Sequence, residues 1–167
     1  IIEIIENYIN QINNTRNLKA LVTAGPTREY IDPVRYITNE SSGKQGYALA
    51  KSFVEYGFKT TLISGKTNLE KPDGLKYIEV NTAEEMFKET LHNLPVDVAV
   101  FSAAVSDFKI KNYNEKKIKK TDYFNLELDK NIDILSHISN HNSLRPSLSV
   151  GFAAETNDLR KNAIKKL

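Results

Sequence analysis

The stretch TNESSGKQG (38–46) sets two serines and a Gly-Lys pair ahead of an apolar-periodic segment. Ser41 and Ser42 can cap a helix start, and Gly43 and Gly46 let a ligand come close. The free backbone N–H groups of such an end attract an anion. This is not a Walker A loop, which places glycine, four spacers, Gly-Lys and then Ser or Thr. Here Thr38 and Gln45 occupy the outer positions. An ordinary cap beside a solvated Lys44 is the plainer alternative. A second cluster, NEKKIKK (114–120), carries four lysines. It is either a solvated face or a flexible cationic flap that can follow the charge of a polyphosphate. A third, AAVSDF (103–108), ends an apolar run in small residues and Asp107. Asp107 can meet a metal, a ribose hydroxyl or a base edge, or simply bond its own loop. In DKNIDI (129–134), Asn131 is the candidate N-cap of a short helix. Phe152 in GFAAET (151–156) is either core or a stacking platform. No Ser-His-Asp set or helical HExxH is present. The polar inventory suits phosphate chemistry by positioning and charge stabilisation.

The elements that must position these residues follow from periodicity. Apolar runs at 19–25, 59–65, 76–80, 96–105 and 147–155 predict strands. Ile1, Ile5, Tyr8, Ile9 and Ile12 predict a first helix over 1–12. Further helices are expected over 41–57, over 83–94 behind a Thr82/Glu85 capping box, over 132–139 and from near Asn157. Residues 26–40 and 106–131 read as long loops, uncommon unless functional. Strands alternating with helices predict an α/β domain, Rossmann-like, with three layers (αβα) and a mainly parallel sheet. The candidate stretches then fall beyond the carboxyl ends of strands, where such sheets bind ligands. The dinucleotide fingerprint GxGxxG is missing, and Ser64-Gly65-Lys66 stands where an acidic residue would end the second strand. A catalytic Tyr-x-x-x-Lys helix is missing too, which weighs against an NAD(P)-dependent oxidoreductase.

The chain has 167 residues, 40% hydrophobic and 26% charged, which suits one globular core. A net charge of +2 offers no bulk attraction for nucleic acid or a membrane surface. No cysteine occurs, which removes disulfides and thiolate metal sites and fits a reducing, cytoplasmic setting. His92, His137 and His141 are too scattered for a local zinc motif. No apolar run spans a bilayer. IIEIIENYINQI lacks the basic start of a signal peptide, and RKNAIKKL ends inside a helical pattern, so both ends are expected to be cut from something larger.

LVTAGPTREYIDPVRYITNESSGKQGYALA, AAVSDF, EKKIKK, KNIDIL and VGFAAET occur in that order. Together they resemble phosphopantothenoylcysteine synthetase, the synthetase half of the bacterial coenzyme A biosynthesis flavoprotein, from about Lys19 onward. The resemblance implies a connector over 1–18 from an upstream FMN-dependent decarboxylase, and a ligase domain over 19–167 that is incomplete at its C-terminus. It implies a ligase joining 4′-phosphopantothenate to L-cysteine with CTP and Mg²⁺ through an acyl-cytidylate. By motif, Asn39 would hold the acyl-cytidylate, and Lys117 would turn the intermediate into product. Gly25, Arg35, Ser41, Ser42 and Gly43 would meet phosphate or substrate. Phe101, Ser102, Ala103, Asp107, Lys117, Asn131, Ile132, Asp133, Ile134, Phe152 and Lys166 would line the nucleotide. A homodimer is implied, with the lysine flap reaching toward the partner's site. Ile132 stands where the family usually has proline, AAVSDF replaces AAVADY, and the family continues past Lys166. A Rossmann-like nucleotide-binding module without ligase activity remains the alternative.

Overall fold

A computed structural model describes residues 2–10, 17–120 and 125–152. Its elements in order are α1 (Ile2–Asn10), β1 (Lys19–Ala24), β2 (Arg28–Asp32), β3 (Arg35–Thr38), α2 (Lys44–Glu55), β4 (Lys59–Gly65), β5 (Lys76–Val80), α3 (Ala83–His92), β6 (Val98–Phe101), β7 (Phe108–Ile110), β8 (Leu128–Lys130), α4 (Ile134–Ser139) and β9 (Leu148–Gly151). β1, β4, β5, β6 and β9 form one sheet in the order β5-β4-β1-β6-β9. Every pairing in it is parallel. The inner strands β1, β4 and β6 are buried on both faces, which explains their largely apolar runs, whereas the edge strands β5 and β9 are only half-buried.

Alternation along each strand divides the core into two layers. Val22, Leu62, Val98 and Val100 face one way, against Tyr47, Ala50 and Phe53 of α2 and Ile5 and Ile9 of α1. Leu21, Ile63, Ala99 and Phe101 face the other way, against Met86 of α3 and Ile134 and Ile138 of α4. Helices on both faces of a parallel sheet give the expected three-layer αβα, Rossmann-like architecture. The Thr82/Glu85 capping box forms as the sequence predicts: Thr82 Oγ1 accepts from Glu85 N at 3.1 Å.

The two long loops are where the reading from sequence changes. Residues 26–40 fold into an antiparallel hairpin, β2–β3, with Tyr30 opposite Tyr36 and Pro33-Val34 at the turn. Residues 106–131 hold a second hairpin, with Phe108 opposite Lys130 and Ile110 opposite Leu128. β6 ends at Phe101 rather than 105. Past that point Ser102 turns onto β1, its N–H bonding the Thr23 carbonyl at 3.2 Å. The helix expected from Asn157 lies outside the described residues.

Candidate active site

The strand order reverses between β1 and β6, which opens a crevice beyond their carboxyl ends. The chain leaving β1 and the chain leaving β6 are laced together there. Ala104 N–H bonds the Gly25 carbonyl at 2.9 Å, and Thr27 N–H returns to the Ala104 carbonyl at 3.3 Å. Ser106 N–H bonds Thr27 Oγ1 at 2.9 Å, and the Ser102 hydroxyl bonds the Thr23 carbonyl at 2.6 Å. Thr27 is fully buried, so these bonds form away from competing water.

The polar candidates converge on this seam. Thr38 at the end of β3 donates to the Thr27 carbonyl at 2.6 Å, which brings the next residue, Asn39, over the loop. Asn39 Nδ2 then donates to the Val105 carbonyl at 3.0 Å. From the other side, Asn131 Nδ2 donates to the Ser106 carbonyl at 2.9 Å, and its backbone N–H to the Asp107 carbonyl at 2.8 Å. One segment, 102–107, thus gathers Asn39, Ser102, Ala103, Asp107 and Asn131. Asn131 is therefore not the N-cap of α4. Asp133 is, accepting from Ser136 N at 2.9 Å, because its side chain sits three residues before that donor.

The start of α2 closes against the same crevice. Gly43 is its N-cap, at φ 74°, with no side-chain bond to the helix. The serines act one step earlier: Ser41 Oγ accepts from Gly43 N at 3.3 Å and Ser42 Oγ from Lys44 N at 3.4 Å. The capping role expected of them holds only in part: Ser41 shapes the turn, Ser42 takes the first helical N–H, that of Lys44, and no side chain among the described residues caps the N–H groups of Gln45 and Gly46. Close packing demands the glycines. A Cβ on Gly43 would lie 2.8 Å from Thr67 Cγ2, and one on Gly46 would lie 2.5 Å from Ala24 Cβ and 2.6 Å from Ser102 Oγ.

Other candidates fall elsewhere. Phe101 and Ile134 are buried in the second core layer, and Phe101 is paired in the sheet with Thr23 and Gly151. Ile132 is exposed. Phe152 packs on the first core layer and lines an apolar groove of about 650 Å³ between α1 and α2. Lys166 lies outside the described residues. Arg35, the expected phosphate contact, is paired within the fold. Its Nε and Nη2 pair with Asp32 Oδ2, and Nη2 also reaches the Ile118 carbonyl at 3.0 Å. These Arg35 bonds hold the Asp32 carboxyl well below the usual carboxylate range, with the Val34 and Ile118 N–H groups adding to them against the cost of burial.

The lysine segment departs from the free flap expected of it. Asn114 N–H bonds the Ile31 carbonyl at 3.1 Å, and Ile118 N–H bonds Asp32 Oδ2 at 3.1 Å. Lys116, Lys117, Lys119 and Lys120 are exposed on a loop pinned to the β2–β3 hairpin. Asp32, Thr27, Thr38 and Ser106 escape a reading by chemical motif. The signal for Asp32 was present in EYIDPVRYI, two β-prone runs around an Asp-Pro turn.

Among the described residues, no three carboxylates or histidines converge to hold a metal. Mg²⁺ needs no such cage, since it is often held by one or two carboxylates together with substrate phosphates. Asp107 is exposed, and its carboxylate fits that mode. No helix among the described residues is long and apolar enough to cross a membrane.

Residues 15–167 match the model of the DNA/pantothenate metabolism flavoprotein C-terminal domain. The coenzyme A biosynthesis bifunctional protein CoaBC of Borreliella burgdorferi is 44% identical over 170 residues, covering 99% of this chain and 42% of that protein. The chain thus spans less than half the length of the curated relatives it matches. The crystal structure of the C-terminal domain of a CoaBC protein superposes with a TM-score of 0.76 at 38% identity, covering 90% of this chain and 71% of that one. A Cab2 H337A mutant in complex with phosphopantothenate-cysteine shares the fold at a TM-score of 0.71 and 19% identity, over 99% of this chain and 75% of that one. With the five described strands of its sheet and both hairpins inside the matched region, the chain belongs to the DNA/pantothenate metabolism flavoprotein C-terminal domain family.

Proposed function

We propose that the protein containing this chain is a ligase of coenzyme A biosynthesis that joins 4′-phosphopantothenate to L-cysteine, consuming CTP through an acyl-cytidylate. The observation that carries the reading is the convergence of Asn39 and Asn131 on segment 102–107, which carries Asp107 and whose Ser102 lies against Gly46 in the first turn of α2. A carboxylate is a poor acyl donor, so the chemistry needs a nucleotidyl ester as leaving group. Making one requires phosphates, a carboxylate and a nucleoside to be held in line. The N–H groups of Gln45 and Gly46 in the first turn of α2, which no described side chain caps, with Ser41, Ser42, Gly25 and Gly43 around them, favour the phosphate charge.

In this reading Asn39 is neutral and oriented by Val105, so it lies against the acyl phosphate without charge repulsion. Ser102, Ala103, Asp107 and the 131–134 turn line the nucleoside. Asp107 with the nucleotide's phosphates would hold Mg²⁺, which would supply charge neutralisation there. Lys117 then stabilises the charge that develops as the cysteine amine displaces CMP. Residues 1–18 serve as connector to an FMN-dependent decarboxylase half, and 19–167 as part of the ligase domain. The exposed apolar residues of the β7–β8 hairpin, Phe108 and Leu128, suit a homodimer face. The enzyme works in the cytoplasm.

Thermal melting tests nucleotide choice: CTP with Mg²⁺ raises the melting temperature more than ATP, and NADPH leaves it unchanged. A rise with NADPH instead rejects the ligase in favour of an oxidoreductase. A rise with CTP but no acyl-cytidylate in the full-length protein leaves a nucleotide-binding module.

A further inference from the structure

Asp32 is a fully buried carboxylate at the turn of the β2–β3 hairpin, and its two oxygens do different things. Oδ1 accepts from Val34 N and Arg35 N, both at 3.0 Å, and so closes the turn. That task needs no charge; an asparagine does it equally well. Oδ2 instead accepts from the Arg35 guanidinium and from Ile118 N–H at 3.1 Å, bringing in a segment 86 positions along the chain. Arg35 completes the grip, its Nη2 holding the Ile118 carbonyl at 3.0 Å. Both polar groups of one flap peptide position are therefore fixed by one ion pair. A second tie, Asn114 N–H to the Ile31 carbonyl at 3.1 Å, pins the loop four residues earlier. Lys116 and Lys117 sit between the two ties, exposed. A buried charge is costly to keep unless it is paired and hydrogen-bonded, and here the pairing is used to join hairpin and flap.

We infer that Asp32 is a positioning residue: with Arg35 it clamps Ile118 and thereby sets where Lys117 is presented. The inference rests on the role proposed above for Lys117. The clamp holds the backbone next to the ammonium's stem, so the flap meets the intermediate from a preset place instead of searching for it. Activation of the carboxylate, which does not use Lys117 in this reading, should not depend on the clamp.

The test uses the full-length protein and the substitution Asp32→Asn. It keeps an acceptor for the turn and replaces Oδ2 by an amide NH₂, which cannot accept from Ile118 or Arg35. Ile118→Pro is the second variant; it removes the clamped N–H and leaves the Asp32–Arg35 pair intact. Two readouts are taken. Limited trypsin digestion reports the tether without reference to activity, read at Lys116, Lys119 and Lys120 because Ile118→Pro makes the bond after Lys117 resistant to trypsin; cleavage there should quicken about tenfold in both variants, as expected for losing about 1.4 kcal/mol of local closure. Single-turnover assays separate pyrophosphate release from amide formation. Amide formation should fall about 100-fold, the effect of a small misplacement of a reacting group, with pyrophosphate release near the wild-type rate. In a Lys117→Gln background, Asp32→Asn should cost amide formation nothing more. Equal loss in both steps, or a further loss in the Lys117→Gln background, overturns the inference in favour of a purely structural role. Unchanged trypsin cleavage overturns the clamp itself. A wild-type protein that releases no pyrophosphate refutes the ligase reading and the catalytic half of this inference with it, while cleavage alone still decides the clamp.

Discussion

Gly65→Ala tests whether the crevice depends on the backbone packing described here. Gly65 ends β4, and a Cβ there would lie 1.9 Å from the Pro26 carbonyl oxygen and 2.7 Å from its carbonyl carbon. Carbon atoms make comfortable contact with neighbours at about 3.5 Å, so the two segments must part by more than an ångström. The obstacle is backbone, which has no rotamer to escape into. Overpacking of this kind costs about 1–3 kcal/mol, and the upper end is expected here. The displacement is directed at the site, because Pro26 bridges to Ala104 and the next residue, Thr27, carries Ser106 and Thr38. Gly74→Ala is the control. Gly74 lies in an exposed turn at φ 76°, so alanine there also costs about 1–2 kcal/mol, through backbone conformation. Urea denaturation gives the stability of each variant, and the melting shift with CTP and Mg²⁺ reports the site. Gly65→Ala should lose about 3 kcal/mol and most of its nucleotide response, whereas Gly74→Ala keeps that response. Wild-type stability in Gly65→Ala, or a full nucleotide response, refutes the packing argument.

Thr82→Ala removes one half of the α3 capping box and should cost about 1 kcal/mol by urea denaturation; a change near zero means the cap adds nothing here. Asn39→Asp places a charge where the acyl phosphate is proposed to sit, and should lower synthesis about 100- to 1000-fold in the full-length protein; near-normal turnover removes Asn39 from that role. Asp32 titrates far below an unfolded aspartate, so its contribution to stability is present above about pH 4 and is lost as the pH falls further. The stability gap between wild type and Asp32→Asn should therefore narrow from pH 7 to pH 3, and a constant gap contradicts it.

The sheet was legible because its inner strands are apolar runs closed by a small or polar residue. VAVF and KALVTA can be little else between helical patterns. The hairpins were not. β2 and β3 mix Arg, Glu and Asp with Tyr and Ile, and their partner is each other, not the sheet, so they carry no buried run. The three-residue strands β7 and β8 are too short for any period to register. Asn39, Asp107 and Asn131 were legible as candidates, but what each bonds was not. Asn131 has the local look of a helix cap, and a contact 25 residues away claims its side chain instead. Asp32 shows the same limit: an aspartate before proline reads as a turn, and only the fold brings Ile118 to its second oxygen.

The central claim is that this crevice activates a carboxylate with a nucleotide. The direct measurement is pyrophosphate release by the full-length protein with 4′-phosphopantothenate, Mg²⁺ and either CTP or ATP, cysteine withheld. The account predicts a CTP-dependent burst near one equivalent per site, because the acyl-cytidylate forms and then waits. No burst from a folded protein that still binds CTP contradicts it.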